Sequence, residues 1–302
     1  MINIPDILKE KVVRVHGDVG QQWLMMLPAL LSECRARWSL ELGDPFKNLS
    51  YNLALPGRMN DGTEIVLKVG VPCRELSTEA AALRLFDGEG AVRLLDSDAP
   101  RGILLLERIA PGTPLYKLLE DGEATRTAAG LMRRLWRTPP AEHPFPTIAI
   151  WFNAIEQLRK RFDGGCGPFP QELIMKAEST LAALVSSSDR QVILHGDLHH
   201  ANILFSAKRG WVAIDPKGIV GDPGYEVGSF MLNRLPAGAG ESTTMQLLSR
   251  RLSIFSEELG IDRERLARWA FCHAVLSAVW DFEEAAEWHG TIQRARMFEQ
   301  LD

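Results

Sequence analysis

Hydrophobic and polar positions alternate in short runs through the first third of the chain. Three apolar runs separated by turn-forming Gly, Pro and Asp residues predict consecutive antiparallel strands: 38–42, 51–55 and 64–69. Before them, apolar residues at helical spacing over 18–37 predict an N-terminal helical extension, which Pro28 should kink or restart. A helix over about 77–88 and two strands at 91–95 and 102–109 complete a small sheet with one inserted helix.

Beyond residue 114 the pattern becomes helical. Five segments carry an apolar stripe at helical spacing: 123–137, 148–163, 170–186, 243–259 and 262–288. Only residues 191–215 interrupt them with a pair of strands. We therefore expect an α+β fold in three parts: an N-terminal helical extension (1–37), a small β-rich lobe (38–108) and a larger, mainly helical lobe (109–302).

Composition narrows the class of protein. The 302 residues are 46% hydrophobic and 24% charged, as in a globular protein, so disordered and low-complexity proteins are excluded. The net charge of −5 and the absence of a long basic run argue against nucleic acid or an anionic membrane as a partner, and suit cationic or small neutral ligands. The charged first 30 residues and the lack of an apolar run near about 18 residues predict a cytoplasmic protein. Oligomeric state is not predicted.

Three polar residues stand at the ends of the two predicted strands within 191–215. Asp197 and Asn202 lie five residues apart in the turn between these strands, and Asp215 ends the second strand. Phosphoryl transfer uses hard cations and an in-line nucleophile, so Asn202 and Asp215 are expected to hold Mg²⁺ on nucleotide phosphates. Asp197 is expected to orient an acceptor hydroxyl and take its proton. Taken singly, each residue could instead bond nearby backbone, as Asp and Asn in turns usually do.

A lysine upstream favours the catalytic interpretation of this set. Lys68 lies in the middle of an apolar strand, and Glu79 follows eleven residues later in the inserted helix. An ion pair between them would fix the direction of the Lys68 ammonium, which could then meet the α- and β-phosphates. The alternative is a lysine that extends its charged end to solvent from an edge strand.

These features together resemble the protein-kinase-like fold. The stretches His195-Gly-Asp-Leu-His-His-Ala-Asn202 and Gly210-Trp-Val-Ala-Ile-Asp-Pro216 are similar to those of the aminoglycoside and hydroxyurea antibiotic-resistance kinases, a family that includes the streptomycin 6-kinases. The resemblance implies a bilobal fold, with Asp197 as catalytic base, Asn202 and Asp215 as metal ligands and Lys68 on phosphate. It also implies that the backbone of Glu107 to Ile109 receives adenine.

The sequence departs from protein kinases around the phosphates. No G-x-G-x-x-G precedes the second strand, so the stretch from Gly43 to Ser50 must cover the phosphates, with Lys47, Asn48 and Ser50 as candidate donors. No G-x-x-x-x-G-K-[ST] occurs, which excludes a P-loop enzyme. Asp215 is followed by Pro rather than Phe-Gly, and the short loop after it leaves no room for a phosphorylated activation segment.

The acceptor site is predicted from the family alone. Resistance kinases bind cationic sugars through carboxylates late in the chain, which points to Asp281 and Glu284. Such a charge run is as often a solvated helix face. Three tryptophans nearby either line a pocket or pack in the core: Trp269, Trp280 and Trp288.

The sequence thus predicts an enzyme that uses ATP and Mg²⁺ to phosphorylate a hydroxyl of an aminoglycoside such as streptomycin, or of hydroxyurea. One alternative is a housekeeping kinase of an amino alcohol or sugar with the same catalytic set. The other is a pseudokinase that binds nucleotide without turnover. Only the first two require the complete set of Lys68, Glu79, Asp197, Asn202 and Asp215.

Overall fold

The computed structural model describes residues 2–47, 49–236, 238–284 and 286–301. The chain divides into two compact units, residues 1–112 and 113–302. Among the described residues, no helix is both long and apolar enough to cross a membrane. Asn48, one of the three expected phosphate donors, lies outside the described residues.

The first unit contains a five-stranded antiparallel sheet in the order β1-β2-β3-β5-β4. Its strands are β1 (Leu40–Leu42), β2 (Leu53–Met59), β3 (Glu64–Val69), β4 (Leu94–Asp98) and β5 (Ile103–Glu107). The second strand is longer than expected, because Pro56 and Gly57 pair with β3 instead of forming a turn. Pro56 lacks an N–H, but its carbonyl accepts from Gly43 at 2.8 Å, and the turn moves to Gly62.

One helix, α1 (Asp6–Trp38), precedes the sheet and packs against it. Its break lies at Gly17 (φ 53°), whereas Pro28, the expected site of a kink, lies within helical backbone. Burial explains this tolerance, because Leu27 and Leu30, on either side of Pro28, lie in the core between the helix and the sheet. The helix and the sheet share one core, so the predicted extension is an integral part of this unit.

The helix inserted in the sheet, α2 (Arg74–Phe86), follows β3 directly. Leu76, Ala80 and Leu83 form its buried apolar face. The helix ends where Asp87 adopts the left-handed conformation (φ 46°) and its N–H returns to the carbonyl of Leu83. This Asp87 turn brings the chain back toward β4 one residue before the glycine expected to end the helix.

The second unit is mainly helical. Its helices are α3 (Asp121–Leu135), α4 (Ile148–Trp151), α5 (Asn153–Arg161), α6 (Gln171–Ser186), α7 (Val227–Leu232), α8 (Glu241–Leu259), α9 (Arg263–Glu283) and α10 (His289–Glu299). Its strands form two small sheets, one of β6 (Pro111–Pro114), β8 (Ile203–Ser206) and β9 (Gly210–Ala213), the other of β7 (Val192–Leu194) and β10 (Ile219–Gly221). The predicted α+β class is confirmed.

The helix expected over 262–288 is α9, which is shorter than predicted, and α10, beyond residue 288, was not predicted. α9 is the central helix of the unit and is buried along most of its length. It ends at Glu283, and the carboxylate of Glu287 then accepts from the N–H of His289 at 2.8 Å, which satisfies a free donor at the start of α10. The apolar pattern continues through this break because both helices pack on the same core.

Candidate active site

The first unit holds Lys68 and Glu79 as a buried ion pair. Strand alternation directs Ile65, Leu67 and Val69 into the core shared with α1, and turns Lys68 to the opposite face. There the Lys68 ammonium donates to both carboxylate oxygens of Glu79, at 2.7 and 2.8 Å. Both residues are buried, at 7% and 3% exposure. The expected pair therefore forms, and the alternative of a solvent-directed lysine does not apply.

The other residues expected to bind nucleotide lie at the margins of the same sheet. Ser50 and Lys47 are exposed in the segment between β1 and β2. Glu107 ends β5, where its backbone N–H donates to the carbonyl of Arg93 at 3.0 Å. Ile109 follows two residues later and is half-buried. The N–H of Glu107 is thus engaged within the sheet. The first backbone N–H group beyond the hydrogen bonds of the sheet is that of Ile109.

In the second unit, Asp197 and Asn202 meet in the loop between β7 and β8. The Asn202 side-chain amide donates to the backbone carbonyl of Asp197 at 2.9 Å and to its Oδ2 at 3.4 Å. The other carboxylate oxygen, Oδ1, accepts from the hydroxyl of Ser229 at 2.8 Å. The Asp197 side chain remains about one-third exposed, at 34%. It is therefore both held in place and open to a ligand.

Asp215 comes to the same end of the β8–β9 hairpin. Ile203 at the start of β8 pairs with Ala213 at the end of β9, and the N–H of Ile214 donates to the carbonyl of Asn202 at 2.9 Å. Asp215 itself adopts a left-handed conformation (φ 59°), one that Asp tolerates better than most residues. The carboxylate of Asp215 and the amide oxygen of Asn202 are hard oxygen donors, which fit Mg²⁺ completed by phosphate and water.

His195 links this loop to the strand that carries Asp215. It is completely buried, and its Nε2 donates to the carbonyl of Ile214 at 2.8 Å while its Nδ1 accepts from the N–H of Asp197 at 3.2 Å. The second contact requires an unprotonated Nδ1, so the ring is neutral. Burial lowers the pKa of His195 to about 4, in agreement with this assignment.

Glu226 forms hydrogen bonds with the backbone of this loop, and the sequence analysis did not predict it. Its carboxylate accepts from the backbone N–H groups of His195 (2.7 Å) and Gly196 (2.8 Å). Burial raises the pKa of Glu226 to about 7, although these two backbone hydrogen bonds oppose the increase. The only signal in the sequence is an acidic residue beside the apolar run that begins at Val227.

The late carboxylates occupy the end of α9. Asp281 is half-buried and accepts from the hydroxyl of Thr291 at 2.8 Å, and burial raises its pKa. Glu284 is exposed just beyond the helix. Trp280, the residue before Asp281, packs edge-to-face on Trp151, with 5.3 Å between the ring centroids.

Trp151 connects Trp280 to the loop between β7 and β8 (residues 195–202), which is the candidate catalytic loop. A Cβ on Gly196 would lie 3.0 Å from its indole ring, so Trp151 packs directly against the residue that precedes Asp197. Trp269, which we expected in a pocket or the core, is fully buried and donates to Asp222 at 3.1 Å. Trp288 packs on Phe169. Of the three tryptophans singled out in the sequence, Trp280 is the one that packs on Trp151, which in turn packs on Gly196.

Comparison with known proteins gives a consistent assignment. The family model described as aminoglycoside/hydroxyurea antibiotic resistance kinase matches residues 37–285. A streptomycin 6-kinase of Streptomyces glaucescens is 32% identical over 95% of this chain and 93% of its own length. A hydroxyurea phosphotransferase of Kitasatospora aureofaciens is 34% identical, covering 94% of this chain and 82% of its own. These matches confirm the resemblance inferred from the motifs.

Solved structures confirm the predicted protein-kinase-like fold. A choline kinase from Streptococcus pneumoniae has a TM-score of 0.66 at 15% identity, over 91% of this chain and 99% of that one. An aminoglycoside phosphotransferase crystallised with ADP and hygromycin B has a TM-score of 0.60 at 15% identity, over 88% of this chain and 97% of that one. At this level of identity the similarity concerns the fold alone.

Proposed function

This chain belongs to the aminoglycoside/hydroxyurea antibiotic resistance kinases, a family of phosphotransferases that act on hydroxyl groups, and on that premise we propose that it transfers the γ-phosphoryl group of ATP to streptomycin or a similar aminoglycoside. One observation carries the proposal most directly. Asp197, Asn202 and Asp215 come together at one end of the β8–β9 hairpin, with the Asp197 carboxylate accessible to solvent.

Asp197 acts on the acceptor. Its carboxylate accepts a hydrogen bond from the acceptor hydroxyl, orients the oxygen in line with the γ-phosphorus and takes the proton as the new O–P bond forms and the bond to the leaving ADP breaks. The transition state is loose, so the proton can move late and orientation is the larger part of this contribution.

Asn202 and Asp215 would hold Mg²⁺ on the nucleotide, where the cation offsets the negative charge of the phosphates. Lys68, whose ammonium is fixed in direction by Glu79, is proposed to donate to phosphate oxygens. Ser50 and Lys47 lie in the segment expected to cover the phosphates, and the backbone from Glu107 to Ile109 is proposed to receive adenine. Because the N–H groups of Glu107 and Arg108 already donate to the carbonyls of Arg93 and Glu64, the N–H of Ile109 is the expected donor.

Acceptor recognition is proposed for Asp281 and Glu284. Two carboxylates at the end of α9 favour a cationic acceptor, and the net charge of −5 favours the approach of such a molecule. An aminoglycoside is cationic, whereas hydroxyurea is neutral. This difference favours streptomycin as acceptor, with hydroxyurea as the second substrate to be tested.

The experiment measures ADP release and the mass of the product with purified protein, Mg-ATP and one acceptor at a time: streptomycin, hydroxyurea, choline or a neutral sugar. We expect phosphorylated streptomycin, and a decrease in kcat of about 10²–10⁴-fold in Asp197→Asn. The exposed Asp189→Asn is the matched control and should keep wild-type turnover. Full turnover in Asp197→Asn would refute the proposed base.

A kinase of a small amino alcohol is the second candidate. The observation that favours it is the Trp151–Trp280 pair beside the carboxylates, because aromatic faces attract ammonium groups. Phosphorylated choline with unmodified streptomycin would establish this alternative.

Neutralising Asp281 and Glu284 should raise the KM for a cationic acceptor and leave the KM for hydroxyurea unchanged. This result would separate recognition of the acceptor's charge from catalysis.

A further inference from the structure

The Asp197 carboxylate is held from two directions. Ser229 donates to Oδ1 at 2.8 Å, and Asn202 donates to Oδ2 at 3.4 Å. Of these two partners, only Asn202 belongs to the sequence motif, whereas Ser229 lies 32 residues away on α7. The Ser229 side chain is therefore an addition to the catalytic set that the motif does not contain.

The helix that carries Ser229 is itself firmly anchored. Immediately before it, Glu226 accepts from two backbone N–H groups of the catalytic loop. At the C-terminal end of the helix, the fully buried Arg251 donates to the carbonyls of Phe230 (3.2 Å) and Asn233 (2.9 Å). At 5% exposure Ser229 has little room to move, so its hydroxyl is fixed relative to the loop on both sides.

We propose that Ser229 is a positioning residue that keeps the Asp197 carboxylate in the rotamer that faces the acceptor hydroxyl. This inference rests on the proposed role of Asp197 as base. Without the Ser229 hydroxyl, Oδ1 loses its shortest hydrogen bond, and His199, whose Nε2 lies 3.8 Å away, becomes the alternative partner. The carboxylate would then rotate toward His199 and away from the acceptor. The nucleotide and the charged groups of the acceptor bind without this carboxylate, whereas the in-line orientation of the acceptor hydroxyl, and with it the transfer step, depends on its rotamer.

Kinetic measurements on Ser229→Ala test the proposal. We expect kcat to decrease by about 10-fold or more, with unchanged KM for ATP and acceptor, because the interaction acts on the transfer step. Ser229→Thr keeps a hydroxyl and should restore most of the rate. The control is Ser253→Ala on α8, whose hydroxyl bonds only within its own helix and which should keep wild-type kcat.

A second measurement separates positioning from a general structural effect. In the Asp197→Asn background, adding Ser229→Ala should not lower the residual rate further, because the carboxylate that Ser229 holds is already absent. A further 10-fold decrease there would overturn the proposal. So would a wild-type kcat in Ser229→Ala, or a Ser229→Thr variant no more active than Ser229→Ala although it folds and binds Mg-ATP normally.

The outcomes for the two proposals are distinct. If Asp197→Asn keeps full turnover, the proposed function of Asp197 fails, and with it the reason for Ser229. If Asp197→Asn is inactive while Ser229→Ala transfers phosphate at the wild-type rate, only the positioning role fails. Should Ser229→Ala not fold, Ser229→Cys, which replaces the hydroxyl by a weaker donor of similar size, takes its place in both measurements and is interpreted in the same way.

Discussion

Lys68 and Glu79 are charged residues in a buried environment, and this governs what their substitution should do. Each charge loses its hydration in the fold, and the close contact between them offsets that loss. Removing one partner leaves the other charge in a place where water does not solvate it well. Breaking the pair should therefore destabilise the fold as well as weaken the proposed binding of phosphate.

Lys68→Met tests this expectation. The variant should lower the free energy of unfolding by about 3 kcal/mol, because the buried Glu79 carboxylate loses its countercharge, and it should raise the Kd for Mg-ATP. Urea unfolding and calorimetric nucleotide titration measure the two effects. Lys9→Met, which removes an exposed ion pair with Asp6, is the matched control and should leave both unchanged. Wild-type stability in Lys68→Met would contradict the argument.

At the scale of elements, the short segment from Pro223 through α7 organises the catalytic loop. It supplies the Glu226 carboxylate to the loop backbone and the Ser229 hydroxyl to Asp197. Gly196, whose backbone N–H donates to Glu226, has φ +83° and packs against Trp151, so a side chain there would be strained as well as crowded. The loop geometry is thus set by contacts from outside its own sequence.

The buried Glu226 should make stability dependent on pH. Its pKa in the fold is about 7, above the ordinary value of 4.5, so its favourable contribution is complete below pH 4.5 and is lost as pH rises through 7. The stability of the wild type relative to Glu226→Gln should therefore fall by on the order of 3 kcal/mol between pH 4.5 and 8. Urea unfolding across this range measures it. A difference independent of pH would show that Glu226 does not bind a proton in the fold.

At the scale of the whole molecule, the two compact units have different sources of stability. The first has a continuous apolar core between α1 and the sheet. The second buries three histidines among its helices and strands: His195, His200 and His273. Burial is the main cause that lowers their pKa values, to about 4, 3 and 4 respectively.

These histidines should make the protein sensitive to mild acid. Their pKa values lie below the ordinary 6.5, so the stability they contribute is present above pH 6.5 and is lost as pH falls toward 4. At pH 5 each buried histidine should lower the free energy of unfolding by on the order of 2 kcal/mol. The contribution of Glu226 to this free energy increases over the same pH range. Unfolding free energy should therefore decrease from pH 7 to pH 5.

A variant without one of these rings checks the assignment. His273→Gln should reduce the difference in stability between pH 7 and pH 5, and the exposed His289→Gln should leave it unchanged. If His273→Gln unfolds with the same pH dependence as the wild type, the buried ring does not titrate as its environment indicates.

The sequence by itself determined the family and the candidate catalytic set. Asp197, Asn202 and Asp215 lie within nineteen residues, and Lys68 and Glu79 are joined by one strand and one helix, so local spacing was enough to predict which of them meet. Most strands and most helices followed from apolar periodicity, whereas β6 and β10 were not predicted. Where proline was expected to interrupt an element, at Pro28 and Pro56, packing against neighbouring elements had outweighed its local preference.

Only the tertiary structure decided what holds that set in place. Glu226 and Ser229 reach the catalytic loop across about thirty residues of chain, and neither belongs to a local motif. A buried polar side chain must find a partner, but its sequence neighbours do not show which distant group that is. The position of each helix in the packed core settles that choice, and it is there that Ser229 comes within hydrogen-bond distance of Asp197.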